Sequence, residues 1–227
     1  MILTGNILTD YEHLEALGNP IISRDAPFHG ERFERFQELA TVSKKHGSLI
    51  VAQVNHPGRQ VDEWIQPHPI SASDVQLQES MGMTFGKPRA ATKEDIAGFV
   101  DAWTHAAEYL YQAGYDGIQL HAAHGYLLAQ FISKSTNKRI DEYGGSIRNR
   151  ARLILEIAAS IRRYVPNSFI VGIKLNSVEF QEDGISPADC RSLCSMLENE
   201  GRFDFVELSG GSECLQEQGS CYILTWS

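Results

Sequence analysis

One pattern restricts the fold of this chain more than any other. Short runs that are almost continuously apolar alternate with longer stretches whose apolar residues recur every three or four positions. The short runs are residues 48–54 (SLIVAQV), 117–121 (GIQLH), 169–175 (FIVGIKL) and 203–208 (FDFVEL), and residues 1–4 read as the end of another. Strands covered by helices look like this, because little of them meets water. The alternation predicts an α/β fold of parallel strands joined by crossover helices.

The intervening helices carry end signals. Thr92 followed by Asp95 is a capping-box pattern, after which Ile96, Phe99, Val100, Trp103, Ala107 and Leu110 recur at helical spacing until Gly114. Ser146 caps a second helix with the stripe Ile147, Ala151, Ile154, Leu155, Ala158 and Ile161, and Pro166 follows it. Ser186 caps a third, with Pro187 at its first position and Asp189 in its first turn. An earlier helix covers roughly residues 32–45. Five strand candidates against the eight of a closed (β/α)8 barrel describe a partial TIM barrel, with strands expected beyond both ends. Residues 1–211 read as the barrel part and residues 212–227 as a divergent tail, in which residues 221–226 could pair as one further strand.

Composition narrows the function. Twenty Lys and Arg against 29 Asp and Glu give a formal charge of −9, with no basic stretch to follow a phosphate backbone, so nucleic acid is not an expected partner. No apolar run reaches the roughly 20 residues of a membrane-spanning helix, and no membrane association is expected. The opening MILTGNILTDYEH has neither the basic nor the apolar region of a secretory signal. Cys190, Cys194, Cys214 and Cys221 therefore read as free thiols in a reducing, cytoplasmic setting rather than as disulfides or metal ligands. No metal site is expected.

Two long excursions, residues 55–91 and 122–145, follow strand ends, where barrel enzymes build active sites. His121, His124 and Tyr126 lie in HAAHGYLLAQF at the end of one strand. Two imidazoles at this spacing could donate to one oxygen, such as a carbonyl becoming an enolate, and a phenol could deliver a proton; the same residues could equally be satisfied core side chains. Gln53, at the end of the preceding strand, offers donor and acceptor to a heterocycle edge, and Arg59 beyond it could bridge to a carboxylate. Lys174 sits inside an apolar strand and needs an anionic or electron-rich partner, either a ligand or a structural group such as Glu207. Gly144 and Gly145 before Ser146 could cradle an anion or belong to a loop pinned by ion pairs. Gly210 and Gly211 fit a close ligand approach or a simple turn.

Taken together, residues 121–152, HAAHGYLLAQFISKSTNKRIDEYGGSIRNRAR, closely resemble the signature of Old Yellow Enzyme-type flavin oxidoreductases. The stretch QVNHPGRQ at residues 53–60 resembles that family's third barrel strand and turn, and the similarity runs from Met1 to about Gly211 in the manner of the fungal NADH:flavin oxidoreductase branch. The resemblance implies a TIM barrel with FMN at its C-terminal face. It implies Gln53 on the pyrimidine edge of the flavin, Gly5 against the flavin, and Lys174 where the family carries an arginine near N1 and O2. It implies His121 and His124 on the substrate carbonyl oxygen and Tyr126 as proton donor, in an NADH- or NADPH-driven reduction of the activated C=C bond of an enone-type small molecule. Asn149, Arg150 and the DEYGG run are structural by the same resemblance. The family's first, seventh and eighth strands have no counterpart in residues 1–227, and the last two hold the FMN phosphate. The other expectation is accordingly a non-catalytic remnant or fragment with weak FMN binding. A flavin-free hydrolase or lyase is disfavoured, since no nucleophile–base pair or metal triad emerges.

Overall fold

The computed structural model describes residues 1–79, 82–210 and 222–225, the last four by backbone alone. The chain begins with β1 (Ile2–Leu3) and β2 (Ile7–Leu8), which both pair in parallel with β3 (Ile50–Asn55) and form one interrupted lane. β3 pairs in parallel with β6 (Gly117–Ala122), β6 with β7 (Ile170–Asn176) and β7 with β8 (Phe205–Ser209). The result is a curled, partial TIM barrel of five parallel lanes. β9 (Tyr222–Thr225) adds to β8 in the antiparallel sense, so the further strand expected in the tail is present. A small parallel pair, β4 (Ile70–Ser71) with β5 (Arg89–Ala90), lies within the excursion after β3 and had no signature in the sequence.

The helices are α1 (Glu31–Lys44), α2 (Lys93–Gln112), α3 (Leu127–Ile132), α4 (Ile147–Tyr164) and α5 (Pro187–Met196), the last continued by a π-helical turn at Leu197–Gly201. Thr92 and Asp95 form a reciprocal capping box, as do Ser186 and Asp189, and the Ser146 hydroxyl accepts from the Asn149 N–H. These bonds satisfy N–H groups that helix geometry leaves without partners. The faces expected to be apolar are the buried ones. Ile96, Phe99, Trp103, Ala107 and Leu110 of α2 and Ala151, Ile154, Ala158 and Ile161 of α4 join the strands' outward side chains in one core.

At the strand starts an aspartate recurs. Asp116, just before β6, accepts from the Ile50 N–H of β3 at 2.9 Å, and Asp204, just before β8, accepts from the Val171 N–H of β7 at 2.7 Å. Each also pairs with a helix cation, Lys44 of α1 at 2.7 Å and Arg162 of α4 at 2.7 Å. The N-terminal ends of the strands are thereby closed by structural ion pairs, and the chemistry is left to the opposite edge. Among the described residues no helix is long and apolar enough to cross a membrane.

Candidate functional site

Alternate residues of a strand share a face, and the register aligns those faces across the sheet. Gln53 stands opposite Gln119, His121 opposite Lys174, Lys174 opposite Glu207, and Asn176 opposite Ser209. All seven side chains therefore lie on the inner, concave face. Ala52, Val54, Ile118, Leu120, Ile173, Leu175 and Val206 lie on the other, fully buried in the core beneath the helices. Nearer the strand starts the inner face is apolar, with Val51, Ile170 and Phe205, and Gly172 leaves room for the Phe205 ring. Polarity thus switches halfway along the strands, and the polar half is the C-terminal half.

The polar layer is continuous. Gln53 Nε2 donates to Gln119 Oε1 at 2.7 Å, Gln119 Nε2 donates to Glu207 Oε2 at 2.8 Å, and Lys174 Nζ lies 3.0 Å from Glu207 Oε1. The Lys174 and Glu207 side chains are only 16% and 7% exposed, so this is a largely buried ion pair, in which losing one partner would leave the other charge uncompensated. The structural partner considered for Lys174 is therefore present, and a bound ligand would meet the cation already paired. The Gln53 N–H donates to Thr4 Oγ1 at 3.0 Å, which places Gly5 at the margin of this layer, with open space where its side chain would stand.

Beyond the strand ends, His121, His124 and Tyr126 form a triangle. Their ring centroids lie 5.1 Å apart for His121–His124, 4.8 Å for His121–Tyr126 and 6.5 Å for His124–Tyr126. His121, the penultimate residue of β6, has a 2% exposed side chain, and Tyr126, equally buried, opens α3 at its N-cap. His124 sits between them in the left-handed region at φ 58°. Its N–H donates to Asn176 Oδ1 at 3.2 Å, and its Nε2 is 2.7 Å from Ser209 Oγ. Burial, the neighbouring His124 and the Lys174 cation hold the His121 pKa well below the usual histidine range. Burial and Lys174 push His124 down to about 4. Both rings are neutral at pH 7 and each presents one N–H and one lone pair.

All the expected site residues thus fall along one edge, with Gln119, Asn176 and Ser209 in addition. These three were not singled out because a strand's own sequence gives the parity of its faces but not its register with a neighbour. Other motifs resolve towards their structural alternative. Arg59 Nη1 donates to the Val75 carbonyl oxygen at 2.7 Å. The loop at residues 137–150 is pinned by Arg139–Asp141, Lys93–Glu142 and Arg148–Glu200 ion pairs, and Gly144 is packed against the Arg139 carbonyl. Arg150 is buried and donates to the Gly145 and Ile132 carbonyl oxygens. Cys190 and Cys194 are free thiols, while Gly211, Cys214 and Cys221 lie outside the described residues.

A second cluster was not anticipated. His13 Nδ1 lies 3.1 Å and His56 Nε2 3.2 Å from Asp10 Oδ2, and the backbone N–H groups of Glu12 and His13 donate to Asp10 Oδ1 at 2.7 Å each. Burial works against the Asp10 charge, but the hydrogen bonds from His13 and His56 outweigh it and hold the carboxyl far below the usual range. The Gly58 N–H donates to His56 Nδ1 at 3.0 Å. That bond puts the ring's own proton on Nε2, the nitrogen 3.2 Å from Asp10 Oδ2, so the trio gathers residues 10–13 at the end of β3.

Comparison with known proteins places this geometry. Residues 2–208 match the model of the NADH:flavin oxidoreductase / NADH oxidase family. The chain is 58% identical over 211 residues to the NADH-dependent flavin oxidoreductase nadA of Aspergillus parasiticus, a match covering 92% of this chain and 47% of that protein. It is 36% identical over 231 residues to the NADH-dependent flavin oxidoreductase iccE of Talaromyces variabilis, covering 93% and 54%. The solved old yellow enzyme homologue of Zymomonas mobilis superposes with a TM-score of 0.79 at 26% identity, over 91% of this chain and 59% of that one. Morphinone reductase in complex with tetrahydroNAD gives a TM-score of 0.74 at 27% identity, over 88% and 58%. The chain spans about half the length of the curated relatives it matches.

Proposed function

The chain belongs to the NADH:flavin oxidoreductase / NADH oxidase family, of Old Yellow Enzyme type, and from that premise we propose that it carries the substrate half of an FMN-dependent reductase of activated C=C bonds. The observation behind this reading is the convergence of two neutral imidazoles and a phenol beside a buried cation at the C-terminal edge of a barrel sheet. The donor set would suit a flavin: Gln53 would offer an amide to a heterocycle edge, Lys174 a cation to an anionic reduced ring, and Gly5 an open approach. Residues 1–211 form the barrel unit in this proposal, and residues 212–227 stand apart from it.

FMN, when bound, would supply the hydride chemistry linking NADH or NADPH to the β-carbon of an α,β-unsaturated carbonyl compound. The residues of this chain do the rest. His121 and His124 donate to the carbonyl oxygen and stabilise the negative charge that develops there as the enolate forms. Tyr126 returns a proton to the α-carbon; an acid this weak does not protonate water-exposed groups at random. The layer from Gln53 to Lys174 would hold the flavin ring and so orient it towards the substrate.

The test is a chimera in which residues 1–208 replace the matching segment of the Aspergillus parasiticus relative. Bound FMN together with NADH-dependent reduction of 2-cyclohexenone supports the proposal; a chimera that binds FMN but leaves the alkene untouched refutes the C=C assignment. In the same chimera Tyr126→Phe should slow alkene reduction by ~10²–10⁴-fold and leave flavin reduction by NADH nearly unchanged, since general acid catalysis acts only in the second half-reaction. Equal slowing of both half-reactions in stopped flow removes Tyr126 from the role.

A further inference from the structure

We propose that Ser209 and Asn176 are positioning residues that fix His124 as its Nδ1–H tautomer, so that it and His121 can donate to a single oxygen at the same time. The inference rests on the carbonyl-binding role proposed above for the two histidines.

A neutral imidazole has one N–H and one lone pair, so two rings serve one oxygen as donors only if each keeps its lone pair turned elsewhere. His121 meets that condition within its own turn. The Ala123 N–H donates to its Nδ1 at 3.3 Å, which leaves the ring proton on Nε2. His124 meets it through the neighbouring strands. Its Nε2 lies 2.7 Å from Ser209 Oγ, which leaves Nδ1 for a substrate oxygen. Nδ1 is a donor only when Nε2 is the acceptor, that is, when Ser209 gives its hydroxyl proton to the ring. The separation favours that direction: 2.7 Å is ordinary for a hydroxyl donor and short for an N–H donor. Both histidines are buried beside Lys174, so protonation of both nitrogens of either ring is disfavoured and the tautomer matters.

Asn176 fixes the backbone from which this ring projects. Its Oδ1 accepts from the His124 N–H at 3.2 Å, and its own Nδ2 donates to the buried Glu179 Oε1 at 3.2 Å. His124 occupies the left-handed region, an uncommon conformation for a residue other than glycine, and the Asn176 bond to its N–H supports it there. Asn176 and Ser209 face each other on the last rung of the β7–β8 ladder. One rung therefore sets both the backbone and the ring of His124, which belongs to the loop after the adjacent strand.

The experiment is a long-range ¹H–¹⁵N correlation spectrum of the full chain labelled with ¹⁵N-histidine, at neutral pH, with His124 identified by its loss in His124→Asn. The expected spectrum has His121 protonated on Nε2 and His124 on Nδ1. Ser209→Ala should move His124 to the Nε2–H form or to a mixture and leave His121 as it was, and Ser209→Thr should restore Nδ1–H. An Nε2–H His124 in the unmodified chain overturns the proposal, and so does a Ser209→Ala spectrum with His124 unchanged. If Ser209→Ala does not fold, the unmodified chain decides alone. The readout needs neither flavin nor substrate, so failure here leaves the carbonyl role to the chimera's alkene reduction, which fails or succeeds separately.

Discussion

Two ionisable arrangements share the concave face, a pair of neutral imidazoles and a buried ion pair. His121 and His124 are folded in a form that resists protonation, His124 down to about 4 and His121 well below its ordinary value. A base with a depressed folded pKa adds nothing against folding above its unfolded value of about 6.5, and destabilises the fold as pH falls below that. Stability to urea should therefore fall between about pH 6.5 and pH 4, at up to about 1.4 kcal/mol per pH unit for each ring. His124→Asn should flatten part of that slope. A flat profile across this window in the unmodified chain would mean that the rings are not buried neutral. Asp10, with a depressed carboxyl pKa, acts in a separate window below its ordinary value of 3.8, where protonation loosens its trio. The Lys174–Glu207 pair behaves differently, because removing one partner leaves the other charge buried alone. Glu207→Ala should cost about 3–5 kcal/mol in equilibrium unfolding, and Lys174→Met combined with Glu207→Leu should recover most of it. A single mutant as stable as the parent would show that water reaches the pair.

At the level of strands and helices, what the sequence made legible and what it hid follow from length. α2 and α4 run for 20 and 18 residues, long enough for a 3.6-residue period to declare itself, and their caps stand where Thr92 and Ser146 predicted. α3 has only 6 residues, all buried, so its sequence LLAQFI carries no periodicity to separate helix from strand. The lanes of β4 and β5 are 2 residues each and arise from tertiary contacts of the excursion. The packing between β7 and β8 can be tested directly. A Cβ on Gly172 would lie 2.2 Å from the Phe205 ring, in the apolar layer beneath the polar one. Gly172→Ala should destabilise by about 1–3 kcal/mol through overpacking, and Phe205→Leu in the same chain should relieve it. A stabilising Gly172→Ala would show that Phe205 moves aside without cost.

For the whole molecule the decisive quantity is how much of a flavin site the chain supplies. In the proposal above, Gln53, Lys174, Gly5 and the histidine pair would meet the ring end of a flavin. By the family resemblance the phosphate is held by the loops after the last two barrel strands, and a barrel of this kind places phosphate at those loops and a nearby helix N-terminus. We therefore expect residues 1–227 on their own to bind FMN weakly and to turn over little enone. Fluorescence titration with FMN measures this; submicromolar affinity with turnover of a simple enone would mean that the phosphate end contributes less than expected. The lane of β1 and β2 carries the exposed Met1 and Ile2 and lies beside the exposed Leu17 and Leu39, so residues 1–227 on their own should also tend to associate, as light scattering would show.

The sequence by itself determined the order of the long strands and helices and the helix caps, because apolar periodicity and capping are written in residues close along the chain; the alternation of the two implied the parallel class, and the motifs the family. The HAAHGY run even placed three reactive groups within six residues. Register was decided only in three dimensions. It set Gln119 between Gln53 and Glu207, turned Lys174 onto Glu207 rather than leaving it free, and brought Asn176 and Ser209 under His124. Shifting one strand by a single residue would send each of these side chains to the other face. The energy that prevents it comes from the helices packed against the opposite, apolar face, tens of residues away in sequence.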